Sequence, residues 1–360
     1  MRRSAIANGP HPFTLGVSMD IIKQVAGADI SKDTIDVHFG SITTEQEIQY
    51  HQAATFPNTS KGFIRFTRWI QKQRVSKTAP LWIVMEATGV YYENFAYYLH
   101  AQHYTVCVLL PNKVKHYAKT LDNKSKTDAL DARTITQLGL ERSLASWQPP
   151  SEQMRTIKAL TREYQAITAL ATQVKNQLHA KEFAYQSPKG TVKRLRSQLH
   201  LFAQQLHSIE QELRRLVDQD PDLREKVARV KAIKGVGFLT VVSVVAETNG
   251  FVLFTSRKQL ASYAGMDVVL RQSGKYSGKT TLSKKGNKHL RRAVFMPALA
   301  AIRFNKHLKE FYLRLVQRKS NKKIALLAVA RKLLCLIYTI WKNGVPYDPN
   351  YHPTMNVNIR

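Results

Sequence analysis

Four carboxylates in this chain have the spacing and setting of a divalent metal site. Asp29 closes one apolar stretch, Glu86 closes another, and Asp128 and Asp131 stand three positions apart, which places both on one face of a helix near its start. Such a cluster repels itself unless a cation occupies it. Hard oxygen ligands suit Mg²⁺, with Mn²⁺ as a substitute, and a substrate phosphate can complete the coordination. The pattern predicts metal-dependent phosphodiester chemistry.

The charge balance makes these acids unusual. Single acids at strand ends are more often solvated or paired with a basic side chain, but here 55 Lys and Arg stand against 25 Asp and Glu. The formal net charge is +30 and the isoelectric point is about 10.1. A polyanionic partner, DNA or RNA, is therefore the first expectation, through neutralisation of phosphates.

Length and composition bound the class of protein. With 360 residues and 44% hydrophobic side chains, the chain can build two or three domains with their own cores. Its two cysteines, Cys107 and Cys335, lie in apolar runs, which argues against a disulfide framework or a zinc site. The first residues lack the apolar core of a signal peptide, and Arg331 and Lys332 interrupt the most apolar segment. We expect a cytoplasmic protein without a membrane span.

The region 21–150 has the alternation of an α/β domain, and residues 1–20 form an extension without periodicity that we expect to be flexible. Apolar β-branched runs alternate with helical stretches, and a short link at 30–33 predicts a hairpin between the first two strands. Strands are predicted at 25–29, 34–39, 82–85 and 105–110, and helices at 60–73 and 92–102.

From 151 to 220 the chain becomes long, Leu- and Gln-rich helix. Apolar residues step by alternating threes and fours between Leu160 and Leu178, and again between Leu195 and Leu216, with a Pro-Gly break between the two series. This pattern favours an antiparallel coiled-coil hairpin that drives self-association, and an ordinary helical bundle is the alternative.

Residues 221–348 are predicted to form a mainly helical domain, followed by a tail at 349–360. Gly235 and Gly237 stand in a hydrophobic-Gly-x-Gly pattern typical of the turn in a helix-hairpin-helix, whose backbone N–H groups can bind a DNA phosphate. A plain turn between two helices is the simpler interpretation of the same residues.

The stretch 271–292 contains eight Lys and Arg and no acid. Ser273 and Ser277 both precede a glycine in this basic loop, so either could offer a hydroxyl to a phosphate held by the cations. Spacing alone favours a phosphate-binding loop in which serine only donates a hydrogen bond. The residues predicted to contact nucleic acid here and elsewhere are Lys126, Gly235, Gly237, Arg271, Lys275, Lys279, Lys284, Lys285, Lys288, Arg291 and Arg292.

Taken together, these motifs resemble the DEDD transposases of bridge-RNA-guided insertion sequences, which are related to the Piv-type DNA invertases. The resemblance runs over nearly the whole chain. It is carried by residues 27–32, 85–91, 126–133, 235–237, 263–265, 272–274 and 283–287.

The resemblance implies a RuvC-like domain of RNase H fold, a coiled coil, and a C-terminal transposase domain. It also implies that Asp29, Glu86, Asp128 and Asp131 are the DEDD acids and that Ser273, rather than Ser277, attacks DNA to give a phosphoserine. A dimer or tetramer would share these groups between subunits. A structured RNA would pair with donor and target DNA, which explains the lack of an evident base-reading motif.

Two other functions fit the same residues. A RuvC-like nuclease would activate water with metal ions and make no use of the serine. A non-catalytic nucleic-acid-binding scaffold would retain the positive charge but have a decayed catalytic site. The presence of all four acids and Ser273 argues against it.

Overall fold

The computed structural model describes residues 20–87, 89–121, 128–252, 254–269, 272–273, 276–278, 281–318 and 321–349. The chain divides between Pro149 and Pro150 into two compact units. The predicted N-terminal extension and most of the predicted tail lie outside the described residues.

The first unit is built on a five-stranded sheet. Its strands are β1 (Ile21–Ile30), β2 (Thr34–Thr43), β3 (Ile48–Pro57), β4 (Leu81–Glu86) and β5 (Thr105–Leu109), in the order β3-β2-β1-β4-β5. Central β1 is antiparallel to β2 and parallel to β4, and β4 is parallel to β5. This order is that of the RNase H fold and confirms the predicted RuvC-like domain. The predicted hairpin is also present, but β3 was missed.

In the described part of this unit, four helices cover the sheet: α1 (Ser60–Gln73), α2 (Glu93–Ala101), α3 (Pro111–Ala118) and α4 (Asp128–Glu141). One face of the sheet packs an aromatic core that includes Phe39, Phe66 and Phe95. The other face packs a core that includes Val25, Val84 and Ile135 of α4. Alternate residues along each strand enter the two cores, as the pleat of a strand requires.

The second unit begins with the helical hairpin of α5 (Glu152–Phe183) and α6 (Lys189–Asp218). The hairpin confirms the predicted antiparallel pair. Leu213 is fully buried in the core of its own chain. That part of the leucine seam is therefore satisfied within one subunit, and self-association stays a prediction.

The remaining helices are α7 (Pro221–Lys231), α8 (Phe238–Glu247), α9 (Arg257–Tyr263), α10 (Lys288–Phe304), α11 (Lys306–Arg318) and α12 (Lys322–Asn343). They share one core with the inner part of the hairpin. Helix α12 is the one helix among the described residues that is long and apolar enough to cross a membrane by length and composition. It contacts α7, α9, α10 and α11 and buries residues along its length, as the core helix of a folded unit does.

Candidate active site and nucleic-acid interface

Asp29 and Glu86 lie at the neighbouring carboxyl ends of two parallel strands. The register pairs Ala28 of β1 with Met85 of β4, and each acid is the next residue along its strand. Asp29 shares a sheet face with Val25 and Gly27, because side chains alternate along a strand. Glu86 shares that face with Val84, which packs in the same core as Val25. The structure therefore places the two predicted acids side by side on one face.

Helix α4 lies on this face at very close range. An ideal Cβ on Gly27 would come within 2.4 Å of the Thr136 backbone nitrogen and 2.7 Å of the Ala132 carbonyl oxygen. The Thr136 hydroxyl accepts a hydrogen bond of 3.1 Å from the Gly27 N–H and donates one of 2.8 Å to the His38 carbonyl. A side chain at position 27 would push α4 off the sheet, so only glycine allows this approach.

The direction of α4 places its first turn near the strand ends. Gly139 meets Val25 and Val84 near the middle of the sheet, while Ala132, further towards the start of α4, meets Gly27. The N-terminus of α4 therefore points towards the carboxyl end of β1. Asp131 precedes Ile135 by one turn and shares its sheet-facing side.

The loops beyond the two strand ends are joined by Asn58. Its side-chain amide donates to the carbonyls of Ser31, just after β1, and of Tyr91, in the segment that follows β4, over 2.9 and 3.1 Å. This side chain fixes the spacing of the two loops that border Asp29 and Glu86.

Asp36 on β2 lies directly opposite Asp29 in the antiparallel register. The Asp36 carboxylate accepts a hydrogen bond of 2.5 Å from the Thr55 hydroxyl. Like charges that face one another across two strands destabilise a sheet. A cation at this end of the sheet would offset that repulsion.

The described side chains contain no group of three or more His, Cys, Asp or Glu close enough together to hold a metal ion. The backbone of α4 is described from Asp128, but the Asp128 side chain lies outside the described residues, as does Lys126. The arrangement thus brings Asp29, Glu86 and Asp131, which lies on the sheet-facing side of α4, towards one end of the sheet. The complete ligand set stays a prediction.

Two nested pairs of short strands lie in the predicted basic loop and the residues just before it. In the outer pair, β6 (Val268–Val269) is antiparallel to β9 (Thr281–Leu282), and in the inner pair β7 (Gln272–Ser273) is antiparallel to β8 (Tyr276–Ser277). The backbone of Ser273 therefore pairs with Tyr276, at the end of β7. Its side chain and that of Ser277, together with Arg271, Lys275 and Lys279, lie outside the described residues.

Two glycines fit the basic segment tightly against the end of α9. An ideal Cβ on Gly286 would lie 2.4 Å from the Tyr263 carbonyl oxygen and 2.6 Å from the Gly265 nitrogen. Gly265 has a positive φ of 65° and Gly286 a φ of 153°. The Arg291 guanidinium donates to the Ala264 carbonyl over 2.8 Å and to the Gly286 carbonyl over 3.2 Å.

These contacts separate the predicted cations into two kinds. Arg291 holds the basic segment in place, and its contact with phosphate stays a prediction. The other described cations of this segment are exposed and available to a polyanion: Lys284, Lys285, Lys288 and Arg292.

Glu247 is a buried acid that was not predicted. It is 3% exposed and accepts a bidentate pair of bonds from Arg162, at 2.6 Å to Oε1 and 3.0 Å to Oε2. The Asn287 amide donates to the same carboxylate over 2.7 Å, and the Asn287 Oδ1 atom accepts the N–H groups of His289 and Leu290. The carboxylate therefore orients the residue that caps α10, within the basic segment 271–292.

Burial acts to raise the pKa of the Glu247 carboxyl, but the hydrogen bonds from Arg162 and Asn287 and the nearby positive charges outweigh it. The pKa is held below its ordinary value of 4.5. A group with a lowered folded pKa contributes stability above its unfolded pKa, and that contribution is lost as the pH falls through the folded value.

We expect Glu247→Gln to lower the free energy of unfolding of the second unit by about 2 kcal/mol at pH 7, because two charge-assisted hydrogen-bond partners lose their acceptor. The difference from the native chain should shrink as the pH falls below 4.5. Urea unfolding at a series of pH values measures both. Glu210→Gln, in an exposed pair with Arg214, is the control and should change stability by less than about 0.5 kcal/mol. A pH-independent difference for Glu247→Gln would contradict the assignment.

The predicted helix-hairpin-helix is formed by α7 and α8. Gly235, with φ 97°, packs so closely on α10 that an ideal Cβ would lie 2.5 Å from the Ala301 nitrogen. An ideal Cβ on Gly237 would meet no described atom within 4 Å, and Gly237 is the N-cap of α8. The first N–H groups of a helix lack partners within it and attract anions. Gly235 therefore has a packing role, Gly237 has open space beside its Cα, and contact of either with phosphate stays a prediction.

Comparison with known proteins agrees with this architecture. A family model for DEDD transposases of the IS110 type matches residues 26–181, and a second, described as the IS116/IS110/IS902 transposase family, matches residues 227–313. The pilin gene-inverting protein of Moraxella lacunata is 29% identical over 92% of this chain and 99% of its own. The transposase of insertion sequence element IS1111A from Coxiella burnetii is 26% identical over 78% of this chain and 84% of its own.

The chain belongs to the IS110-type family of DEDD transposases, as its motifs indicated. It is a DNA transposase or recombinase, and DNA is its substrate. Among solved structures, T. thermophilus RuvC in complex with a Holliday junction is 14% identical, covering 31% of this chain and 90% of that chain with a TM-score of 0.23. Since that score is low, the fold assignment depends on the strand order given above.

Proposed function

We propose that the chain recombines DNA by transesterification, with Ser273 as nucleophile and with Asp29, Glu86, Asp128 and Asp131 as the ligands of Mg²⁺. The placement of Asp29 and Glu86 at adjacent parallel strand ends, under the start of α4, is the observation that carries this proposal. A structured RNA encoded by the same element would select the donor and target sites.

The donor set fits the metal. Carboxylate oxygens are the ligands that Mg²⁺ prefers, and soft ligands are not among the four predicted residues. A divalent cation would also offset the electrostatic repulsion between the opposed Asp29 and Asp36 carboxylates. When bound, Mg²⁺ would polarise the phosphoryl oxygen and offset developing negative charge.

The serine step conserves the number of phosphoester bonds. The Ser273 Oγ–P bond would form as the P–O bond to the leaving deoxyribose oxygen breaks, and the serine proton would pass to that oxygen through solvent. Reversal by a new deoxyribose hydroxyl would rejoin the strand and release the serine. A phosphoserine therefore allows exchange without an external energy source, whereas hydrolysis would leave a broken strand.

The remaining residues hold and orient the DNA. Lys284, Lys285, Lys288 and Arg292 would contact phosphates, since all four are exposed in the segment that follows β9 and in the first turns of α10. The N–H groups in the first turn of α8, which Gly237 caps, would bind a backbone phosphate. Contacts of these kinds position a duplex without reading its sequence.

Sequence selection is therefore assigned to RNA. The net charge of +30 suits a large polyanionic partner, and no base-reading motif is evident in the sequence. Guide pairing would supply the base recognition, with the protein binding the backbone. A homodimer or homotetramer acting in the cytoplasm would bring two such sites together.

A reconstituted recombination assay tests this proposal. Purified protein would be mixed with Mg²⁺, a plasmid carrying the ends of the element, a target plasmid, and RNA transcribed from the non-coding DNA beside the gene. Sequencing across new junctions should detect joined products only when the protein, the RNA and the metal are all present.

Two results would contradict separate parts of it. If junctions formed equally well without RNA, the proposal that a guide RNA selects the DNA sites would be wrong. Strand breaks that are never joined would favour a RuvC-like nuclease that uses activated water.

A further inference from the structure

The outer half of the α5–α6 hairpin extends beyond the core of the second unit. The buried residues of α5 end at Ile167, and those of α6 begin at Ile209. Between these two positions the described chain has no fully buried side chain. This outer half is thus a two-helix arm whose residues are all exposed or half-buried.

Positive charge is concentrated at the end of this arm, in residues 175–200, which we call the tip. The tip contains six Lys and Arg and one acid, Glu182, for a formal charge of five positive. Residues 201–220, which include the rest of α6, its C-cap and the N-cap of α7, have two Arg and four acids. The single tip acid is already paired with Arg196 at 2.8 Å. The excess of positive charge is therefore confined to the tip and does not continue along α6.

Two aromatic rings stand at the turn itself. Phe183 is 83% exposed and Tyr185 is 90% exposed, more than any other large hydrophobic side chain described. The Phe183 ring stacks on the His179 ring with centroids 4.6 Å apart and an interplanar angle of 24°. The Gln186 amide donates to the Tyr185 hydroxyl over 3.0 Å. Both rings are thus oriented by neighbours while their outer faces remain open.

A groove of about 560 Å³ starts beside the turn and runs along the first part of α6. Its lining includes Lys189, Lys193, Arg196 and His200, which follow one another at helical spacing. Cations along a groove that is close in sequence to two exposed aromatic rings form an arrangement suited to single strands, in which phosphates follow the groove and bases stack on the rings.

We propose that the tip binds single-stranded nucleic acid, with bases stacked on Phe183 and Tyr185 and phosphates on Lys189 and Lys193. A second copy of this chain is the less favourable occupant, because two tips would bring five positive charges against five. The inference rests on the proposed function only in that it needs a nucleic-acid substrate, and its test does not depend on DNA cleavage.

The test measures equilibrium binding of the full-length chain to fluorescent 12-nucleotide oligomers, oligo(dT) and oligo(U), and to a 12-base-pair duplex. Phe183→Ala with Tyr185→Ala should weaken single-strand binding about tenfold or more and leave duplex binding unchanged. Phe183→Trp with Tyr185→Trp should retain it, whereas the corresponding leucine pair should not, since leucine is apolar but cannot stack.

Charge and folding are controlled separately. Lys189→Ala with Lys193→Ala should lower the slope of log affinity against log salt by about 1.4, because each lost phosphate contact with a single strand removes about 0.7. The aromatic variants should leave this slope unchanged. Phe304→Ala, at another exposed aromatic on α10, is the matched control and should bind as the native chain does.

The two oligomers distinguish the source of the strand: tighter binding of oligo(U) assigns the tip to RNA, and tighter binding of oligo(dT) assigns it to an opened DNA strand. Unchanged single-strand affinity in the alanine pair would overturn the inference. A lower oligomeric state in sedimentation with unchanged binding would also overturn it, and would assign the tip to a contact between copies.

Discussion

Replacing Asp131 by asparagine is expected to lower DNA strand cleavage by a factor on the order of 1000, while DNA affinity stays within about twofold. The loss corresponds to about 4 kcal/mol of transition-state stabilisation, a reasonable value for weakened metal binding at a phosphoryl centre. Affinity should persist because it derives mainly from exposed cations, which the substitution leaves in place. Cleavage of a supercoiled plasmid and a filter-binding titration measure the two quantities.

Asp33→Asn is the matched control, since Asp33 is an exposed acid in the β1–β2 turn. It should cleave as the native chain does. Raising the Mg²⁺ or Mn²⁺ concentration should partly restore the Asp131→Asn variant, because a weakened site fills at higher metal concentration. If Asp131→Asn kept native turnover at low Mg²⁺, the metal-site assignment would be wrong.

Ser273→Ala is expected to abolish both strand transfer and the covalent protein–DNA intermediate, with DNA and RNA binding retained. The reason is that no other group in the proposed step can form the phosphoester bond that conserves the energy of the broken one. Ser277→Ala provides a close comparison, because the two serines lie in adjacent paired strands and each precedes a glycine. We expect it to keep activity within about threefold.

The main features of the first unit were predictable because their signals are local. An apolar run that ends in an acid predicts a strand with a carboxylate at its end, and β1 and β4 have Asp29 and Glu86 at or next to their last residue. Strand β3 was missed because it lies at the edge of the sheet. Its residues, Ile48–Pro57, alternate only weakly between buried and exposed.

The position of α4 on the sheet could not be predicted in the same way. It depends on Gly27 meeting Thr136, which lies 109 positions away. A glycine inside an apolar strand indicates that another part of the backbone approaches it closely. Which helix approaches Gly27 could be found only from the folded chain. The convergence of Asp131 with the strand ends follows from that contact.

Glu247 shows a signal that sequence analysis can use. It is the only charged residue in the largely apolar helix Phe238–Glu247. An acid buried in such a helix requires a partner, and here Arg162 and Asn287 provide it. The identity of the partners, like the interlocking of Gly265 with Gly286, depends on long-range packing that periodicity does not encode.

The most direct test of the central claim is to trap the intermediate on DNA. A duplex carrying a nick close to the cleavage site loses a short fragment after the first step, so that the rejoining reaction cannot occur. With Mg²⁺ and guide RNA present, we expect a covalent protein–DNA complex whose modified peptide contains Ser273 by mass spectrometry, and no complex with Ser273→Ala. Cleavage of the same substrate by Ser273→Ala to a free 5′-phosphate would contradict the serine mechanism and show that water is the nucleophile.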